Sequence, residues 1–160
     1  MASTLEATEQ TQFLTFLLGE ELYAISILRV REIIEYDTLT RVPNMPESIR
    51  GVINLRGAVV PVVDLAVRFG LGDGHVTKRT CVIIAEVEAG GDRQVMGLMV
   101  DAVNQVIDLP PTDIEPPPAF GTRVRVDFLK GLGKNGKKFV LILDLDRALT
   151  SIDLASVAET

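Results

Sequence analysis

The chain has 160 residues, 47% of them hydrophobic, and a formal net charge of -6, enough for one ordinary domain or two small subdomains sharing a core. The acidic balance argues against a nucleic-acid partner, because gripping phosphates needs a basic face that releases counterions, and two tyrosines with no tryptophan offer little to stack bases on. One cysteine, Cys81, excludes an internal disulfide and suits a reducing compartment; no window approaches the roughly 18 apolar residues of a membrane span, and polar Met1 to Thr11 lacks a signal pattern, so a cytoplasmic protein without direct membrane insertion is expected.

In chain order, Gln12 to Leu18 and Leu22 to Ile27 read as two strands around a Gly19-Glu20-Glu21 turn. Leu28 to Ile34 sets Leu28, Val30, Ile33 and Ile34 among Arg29, Arg31 and Glu32, a pattern that fits either a helical turn or a strand. Pro43 and Pro46 bracket Asn44-Met45 and forbid central-strand pairing, so a fixed loop leads into a turn at Pro46 to Gly51. Val52 to Leu55 and Val59 to Val63 are β-branched runs joined by the hairpin turn Asn54-Leu55-Arg56-Gly57, which would hold the Arg56 guanidinium where it can meet a carboxylate at a fixed angle. Asp64 suits the cap of a short helix reaching Phe69, with Gly70 and Gly72 ending it and Gly70 to Lys78 serving as a polar connector. Thr80 to Val87 and Gln94 to Val100 form the next hairpin around the Glu88 to Asp92 turn, with Cys81 expected to be buried in its first strand. Pro110-Pro111 and Pro116-Pro117-Pro118 read as a stiff strap between apolar strands.

The second half repeats the first. Ile27, Val30, Ile33 and Pro43 match Val100, Val103, Val106 and Pro116 at one constant offset; past an insertion, Gly51-Val52 matches Gly131-Leu132 and Val62 to Leu65 matches Ile142 to Leu145. The period is far longer than that of solenoid repeats, so two packed β-units are expected, each a small curled barrel, since closure removes sheet edges. Residues 1–11 read as a flexible N-terminal segment, 12–150 as one domain of two intertwined subdomains, and 151–160 as a tail.

The inventory for catalysis is thin. His75, the single histidine, lies among glycines and Asp73 in a loop-like stretch and reads as solvated. No Cys or His pair has metal-ligand spacing, and neither Gly70 to Gly74 nor Gly131 to Lys134 has the spacing of a phosphate-cradling loop, so neither a metal nor a cofactor is expected. Asp101, Asp144 and Asp146 stand at the ends of apolar strands, where acids cap turns or satisfy backbone N–H groups.

VREIIEY at Val30 to Tyr36, the proline loop at Pro43 to Pro46, GVINLRGAVVPVVDL at Gly51 to Leu65, GLMVDAV at Gly97 to Val103 and GLGKNGKKFVLILDLD at Gly131 to Asp146 together resemble the CheW-type chemotaxis coupling family, in order and in spacing. The resemblance runs from Phe13 to about Leu149. It implies a mainly β fold of two packed five-stranded SH3-like β-barrel subdomains with a few short helices, and an adaptor without enzymatic activity. The implied partners are the regulatory domain of a CheA-type histidine kinase and the cytoplasmic tip of methyl-accepting chemoreceptors. Carried over by motif, Val30, Glu32 and Arg56 fall on a receptor-binding surface shaped by Gly51 and Asn54, with Glu32 and Arg56 able to pair on the protein itself. Val100 and Val103 would add its opposite wall. Leu14, Phe16, Val59 and Val62 are the candidates for a kinase-binding face, with the buried side of their strands left open.

Overall fold

Each of two sheets is assembled from both halves of the chain in the computed structural model of the protein, which describes residues 11–37, 39–72, 76–89, 91–117 and 126–149. His75, the tail after 149 and the first ten residues lie outside the described residues. The strands are β1 (Gln12–Leu18), β2 (Glu21–Ser26), β3 (Val30–Glu35), β4 (Ile49–Leu55), β5 (Ala58–Asp64), β6 (Cys81–Ala89), β7 (Asp92–Val100), β8 (Ala102–Asp108), β9 (Ile114–Glu115), β10 (Leu129–Asn135) and β11 (Lys138–Leu143). Two short helices, α1 (Leu65–Arg68) and α2 (Leu145–Leu149), each follow a buried strand. Leu28 to Ile34 resolves into both of its alternatives: a 3-10 turn at Ile27–Arg29, capped by the Ser26 side chain, runs straight into β3.

The six-stranded sheet runs β8-β1-β2-β11-β10-β9 and the five-stranded sheet β3-β6-β7-β5-β4. The expected five and five are therefore six and five, because residues 114–115 pair with β10 as a ladder, whereas the matching Thr40 makes a single bridge to Val52 on β4. The halves do not fold side by side. The β1–β2 hairpin sits in the sheet that holds β8 to β11, and the β6–β7 hairpin sits in the sheet that holds β3 to β5. Each exchanged hairpin is paired to the other half on both flanks: antiparallel through β1–β8 and β3–β6, and parallel through Leu141 with Tyr23 and Ile142 with Ala24 in one sheet and Val62 with Gly97 through Asp64 with Met99 in the other. The internal duplication survives in detail. β4 and β10 carry the same irregularity, at Ile49/Gly51 and Leu129/Gly131, and Asp64 and Asp144 cap α1 and α2 through the N–H of Val67 and Arg147.

Apolar side chains form three cores. The largest lies between the sheets, built on Phe16, Tyr23, Ile25, Leu65, Ile83, Met96, Leu98, Val100 and Leu143 among others. The other two fill the curl of each sheet: Phe13, Ala24, Ile107, Leu109, Val140 and Ile142 in one, Val62, Val82, Ile84 and Met99 in the other. Buried polar side chains are satisfied among the described residues. Thr15 plugs the β1–β8 irregularity by donating to the Gln105 carbonyl at 2.7 Å and accepting from the Gln105 N–H at 3.1 Å. Asp64, buried at the end of β5, takes Arg50 at 3.0 Å as well as its capping bond. Cys81 starts β6 and is half-buried, not sealed in the core as the sequence suggests, because the strand begins where the connector enters the sheet.

Gly51 and Gly131 hold matching crossings. A Cβ on Gly51 would stand 2.6 Å from the Thr40 carbonyl oxygen, and one on Gly131 would stand 2.9 Å from that of Glu115. Backbone cannot retreat as a side chain can. Gly51→Ala and Gly131→Ala are each expected to lower the unfolding free energy by about 1–3 kcal/mol, read from urea melts; wild-type midpoints would show that the crossing strands are free to shift.

Candidate functional site

The turn between β4 and β5 is a two-residue hairpin with Arg56 at φ 52° and Gly57 at φ 87°. Two successive left-handed residues give the turn whose twist matches the strands it joins. Asn54 secures it: its Oδ1 accepts the Gly57 N–H at 2.8 Å. An arginine in this conformation costs on the order of 1 kcal/mol relative to glycine, so the turn carries a side chain that the fold itself does not call for.

That side chain reaches across an open seam. β3 and β4 are the two outermost strands of the five-stranded sheet, and the sheet curls until Arg56, just past β4, meets Glu32 on β3. Nη1 donates to Oε2 at 2.7 Å and Nη2 to Oε1 at 3.2 Å, a two-pronged contact that fixes the plane of the guanidinium. The hydrogen bond from Arg56, reinforced by the charges of Arg56 and Arg31, holds the Glu32 carboxyl below its ordinary range; the same bond raises Arg56 above its own. Arg56 is 74% exposed and Glu32 29%, so the pair contributes little to stability and much to orientation. Beside it the seam opens into a groove of about 340 Å³ lined by Ile34, Leu39, Val52, Ile53, Leu55 and Val82, with Glu35, Asp37, Thr40 and Asn54 on its walls. Leu28, Ile33 and Val59 are apolar and exposed nearby in sequence.

A second ion pair anchors the start of β3. Arg29 donates through Nη1 to Asp146 Oδ1 at 3.0 Å and through Nη2 to Oδ2 at 2.8 Å, and also reaches the Glu86 carbonyl at 3.3 Å. Asp146 Oδ1 accepts the Glu88 N–H at 2.9 Å. The contact ties the 3-10 turn of the first half to β6 and α2 of the second. Burial works against the Asp146 charge, but the Arg29 and Glu88 hydrogen bonds and the Arg29 and Lys130 charges outweigh it and leave the carboxyl below its usual range. The sequence reading has Asp146 cap a turn or satisfy a backbone N–H; it does the second, for Glu88, and its arginine partner was missed.

The predicted receptor residues separate into two groups. Glu32, Asn54 and Arg56 come together at the turn, Gly51 shapes the strand beneath it, and Val30 is half-buried at the opening of β3. Val100 is 1% exposed and belongs to the core between the sheets, so it cannot wall a surface groove; Val103 is half-buried against the same core. Of the predicted kinase face, Leu14, Phe16 and Val62 are buried at 2%, 0% and 0%, and Val59 alone is exposed, at 64%. Nor do the four share one sheet, since β1 and β5 lie in different ones.

Residues 12–153 match the family model for the CheW-like domain. The chain belongs to the CheW-like domain family. It is similar to the chemotaxis protein CheW of Klebsiella aerogenes, 38% identical over 146 residues that cover 91% of this chain and 86% of that protein. It is also similar to the probable chemotaxis protein CheW of Rhizobium etli, 33% identical over 84% of each chain. Among solved structures, the scaffolding protein TtCheW of Thermoanaerobacter tengcongensis superposes with a TM-score of 0.80 at 38% identity, over 90% of this chain and 94% of that one. The CheW-like fold thus accounts for both sheets. No helix among the described residues is long and apolar enough to cross a membrane.

Because the Asp146 pKa is lowered in the folded state, its stabilising contribution is complete above the unfolded carboxylate value of about 4 and disappears as the pH falls through the folded value. Asp146→Asn should therefore cost about 1–2 kcal/mol at neutral pH and progressively less in acid. Urea melts on both sides of that range check it, and a pH-independent gap between variant and wild type would deny the charge its role.

Proposed function

We propose that this chain is the coupling scaffold of a chemotaxis signalling assembly, performing no chemistry of its own and holding the cytoplasmic tips of methyl-accepting chemoreceptors against the regulatory domain of a CheA-type histidine kinase. The observation that carries the receptor half of this reading is the Arg56–Glu32 pair. It sits on a projecting turn, next in sequence to Asn54 and Leu55 of a groove lined by apolar and polar side chains, in a geometry that presets a guanidinium at small conformational cost to a partner. A receptor tip is a helical hairpin, and such a hairpin offers both apolar residues for the groove and polar side chains for a fixed, charged fork. Val30, Gly51 and Asn54 act from beneath, as supports of this surface, whereas Val103, on β8 of the other sheet, packs against the core between the sheets. On the kinase side, Val59 is the one candidate with area to offer.

Arg56→Ala removes the fork and leaves the turn, whose Asn54 bond to Gly57 does not involve it. The variant should melt close to wild type and bind an isolated receptor signalling fragment roughly tenfold more weakly, with binding of the kinase regulatory domain unchanged. Co-sedimentation of the purified protein with each partner measures this. Undiminished receptor binding by the folded variant would remove Arg56 from the receptor surface.

A further inference from the structure

The two halves build the same projecting hairpin with different charged groups. In the first, the turn cation Arg56 is met by Glu32. In the second, the duplication puts Gly136 at the place of Arg56 and Gln105 at the place of Glu32, so neither partner of that ion pair is present. The charge returns in a different form. Four of the five lysines of this acidic chain, Lys130, Lys134, Lys137 and Lys138, lie on β10 and β11 and their turn, and no Asp or Glu occurs between Asp127 and Asp144. Lys134 is held by Glu115 at 2.6 Å, whereas Lys130, Lys137 and Lys138 make no ion pair among the described residues.

The hairpin also extends past its neighbours. β9 pairs with β10 only at Leu132 and Gly133, and β2 pairs with β11 only at Leu141 and Ile142, so the tip from Lys134 to Phe139 has no strand on either flank among the described residues. Phe139, directly across the ladder from Lys134, is 56% exposed. On the outer strand β8, exposed Val106 holds the place that Ile33 holds on β3. Lysines that guard a sheet edge against pairing would not need an exposed phenylalanine among them.

We infer that the β10–β11 tip is a docking surface for an acidic protein segment, with Phe139 as its apolar anchor and Lys134, Lys137 and Lys138 as the charges that draw the segment in. The charge complementarity commits the partner to carboxylates, and the phenylalanine commits it to at least one apolar side chain. This surface lies on the second-half hairpin and does not depend on the receptor reading of Arg56.

The test titrates the full-length, isotope-labelled protein with a synthetic peptide of alternating glutamate and leucine, following amide shifts. The shifts should concentrate on β8, β10 and β11 and weaken steeply between about 0.01 M and about 1 M salt. K134E/K137E/K138E should weaken binding at least about tenfold, and Phe139→Ser by roughly threefold with the salt dependence retained. All four side chains are exposed, so a circular dichroism melt verifies that each variant is folded. Absence of binding, shifts centred elsewhere, or equal affinity for the triple variant would overturn the proposal. So would lysine-dependent binding to phosphatidylserine-containing vesicles without peptide binding, which would make the occupant an anionic bilayer. Lysine-dependent self-association in sedimentation velocity without peptide binding would make it a second copy of the chain.

Discussion

Two exchanged hairpins hold this molecule together, β1–β2 seated between β8 and β11 and β6–β7 between β3 and β5. Each pairs strands of one half with strands of the other, so neither sheet is complete without both halves. The closure entropy of these long connections is recovered only when the largest core, lying between the sheets, assembles. Tyr23 and Leu141 meet at one parallel junction and Val63 and Leu98 at the other, and all four side chains belong to that shared core. Pairing and packing therefore form together, and the protein is one cooperative body in spite of its internal duplication.

That cooperativity is what a coupling protein needs from its frame. An exposed ion pair such as Arg56–Glu32 contributes little to folding, and its value lies in pointing the same way each time a partner arrives. It is positioned by parts that are not exposed: a left-handed turn locked by Asn54, a strand that Gly51 lets pass beneath another, and the clasp of Arg29 on Asp146 that fixes where β3 begins. The duplication gave the molecule two such projecting hairpins. In the second, glycine and glutamine stand where the first has the arginine and the acid, and the same backbone carries a basic, aromatic tip, so one scaffold presents two surfaces of different chemistry.

Much of this was legible in the sequence. Asn and Gly around a two-residue turn between β-branched runs announce a hairpin, Asp64 before Leu65 announces a cap, and the constant offsets between halves announce the duplication. The side of each strand that is buried was not legible, for a physical reason. β1, β5 and β11 are covered by the shared core on one face and by the core of their own curled sheet on the other, so their buried residues run consecutively, as Val60 to Asp64 do in β5. Alternation, the usual guide to strand phase, is absent from such strands. Leu14, Phe16 and Val62 were candidates for surface roles on that account. The Arg29–Asp146 contact was hidden by distance, its partners being 117 residues apart and adjacent only because the halves exchange hairpins. Swapped hairpins leave no local signature, since each hairpin looks the same whichever sheet it joins.

The most direct test of this account is native-state amide hydrogen exchange, strand by strand, on the full-length protein. If the exchanged hairpins make the frame one body, the central amides of β2 and β11 and those of β5 and β7 will open with one common free energy, equal to that of global unfolding. If one sheet opens at a distinctly lower free energy while the other stays protected, the halves are separable, and the claim that a single interlocked frame holds the Arg56 surface in place is wrong.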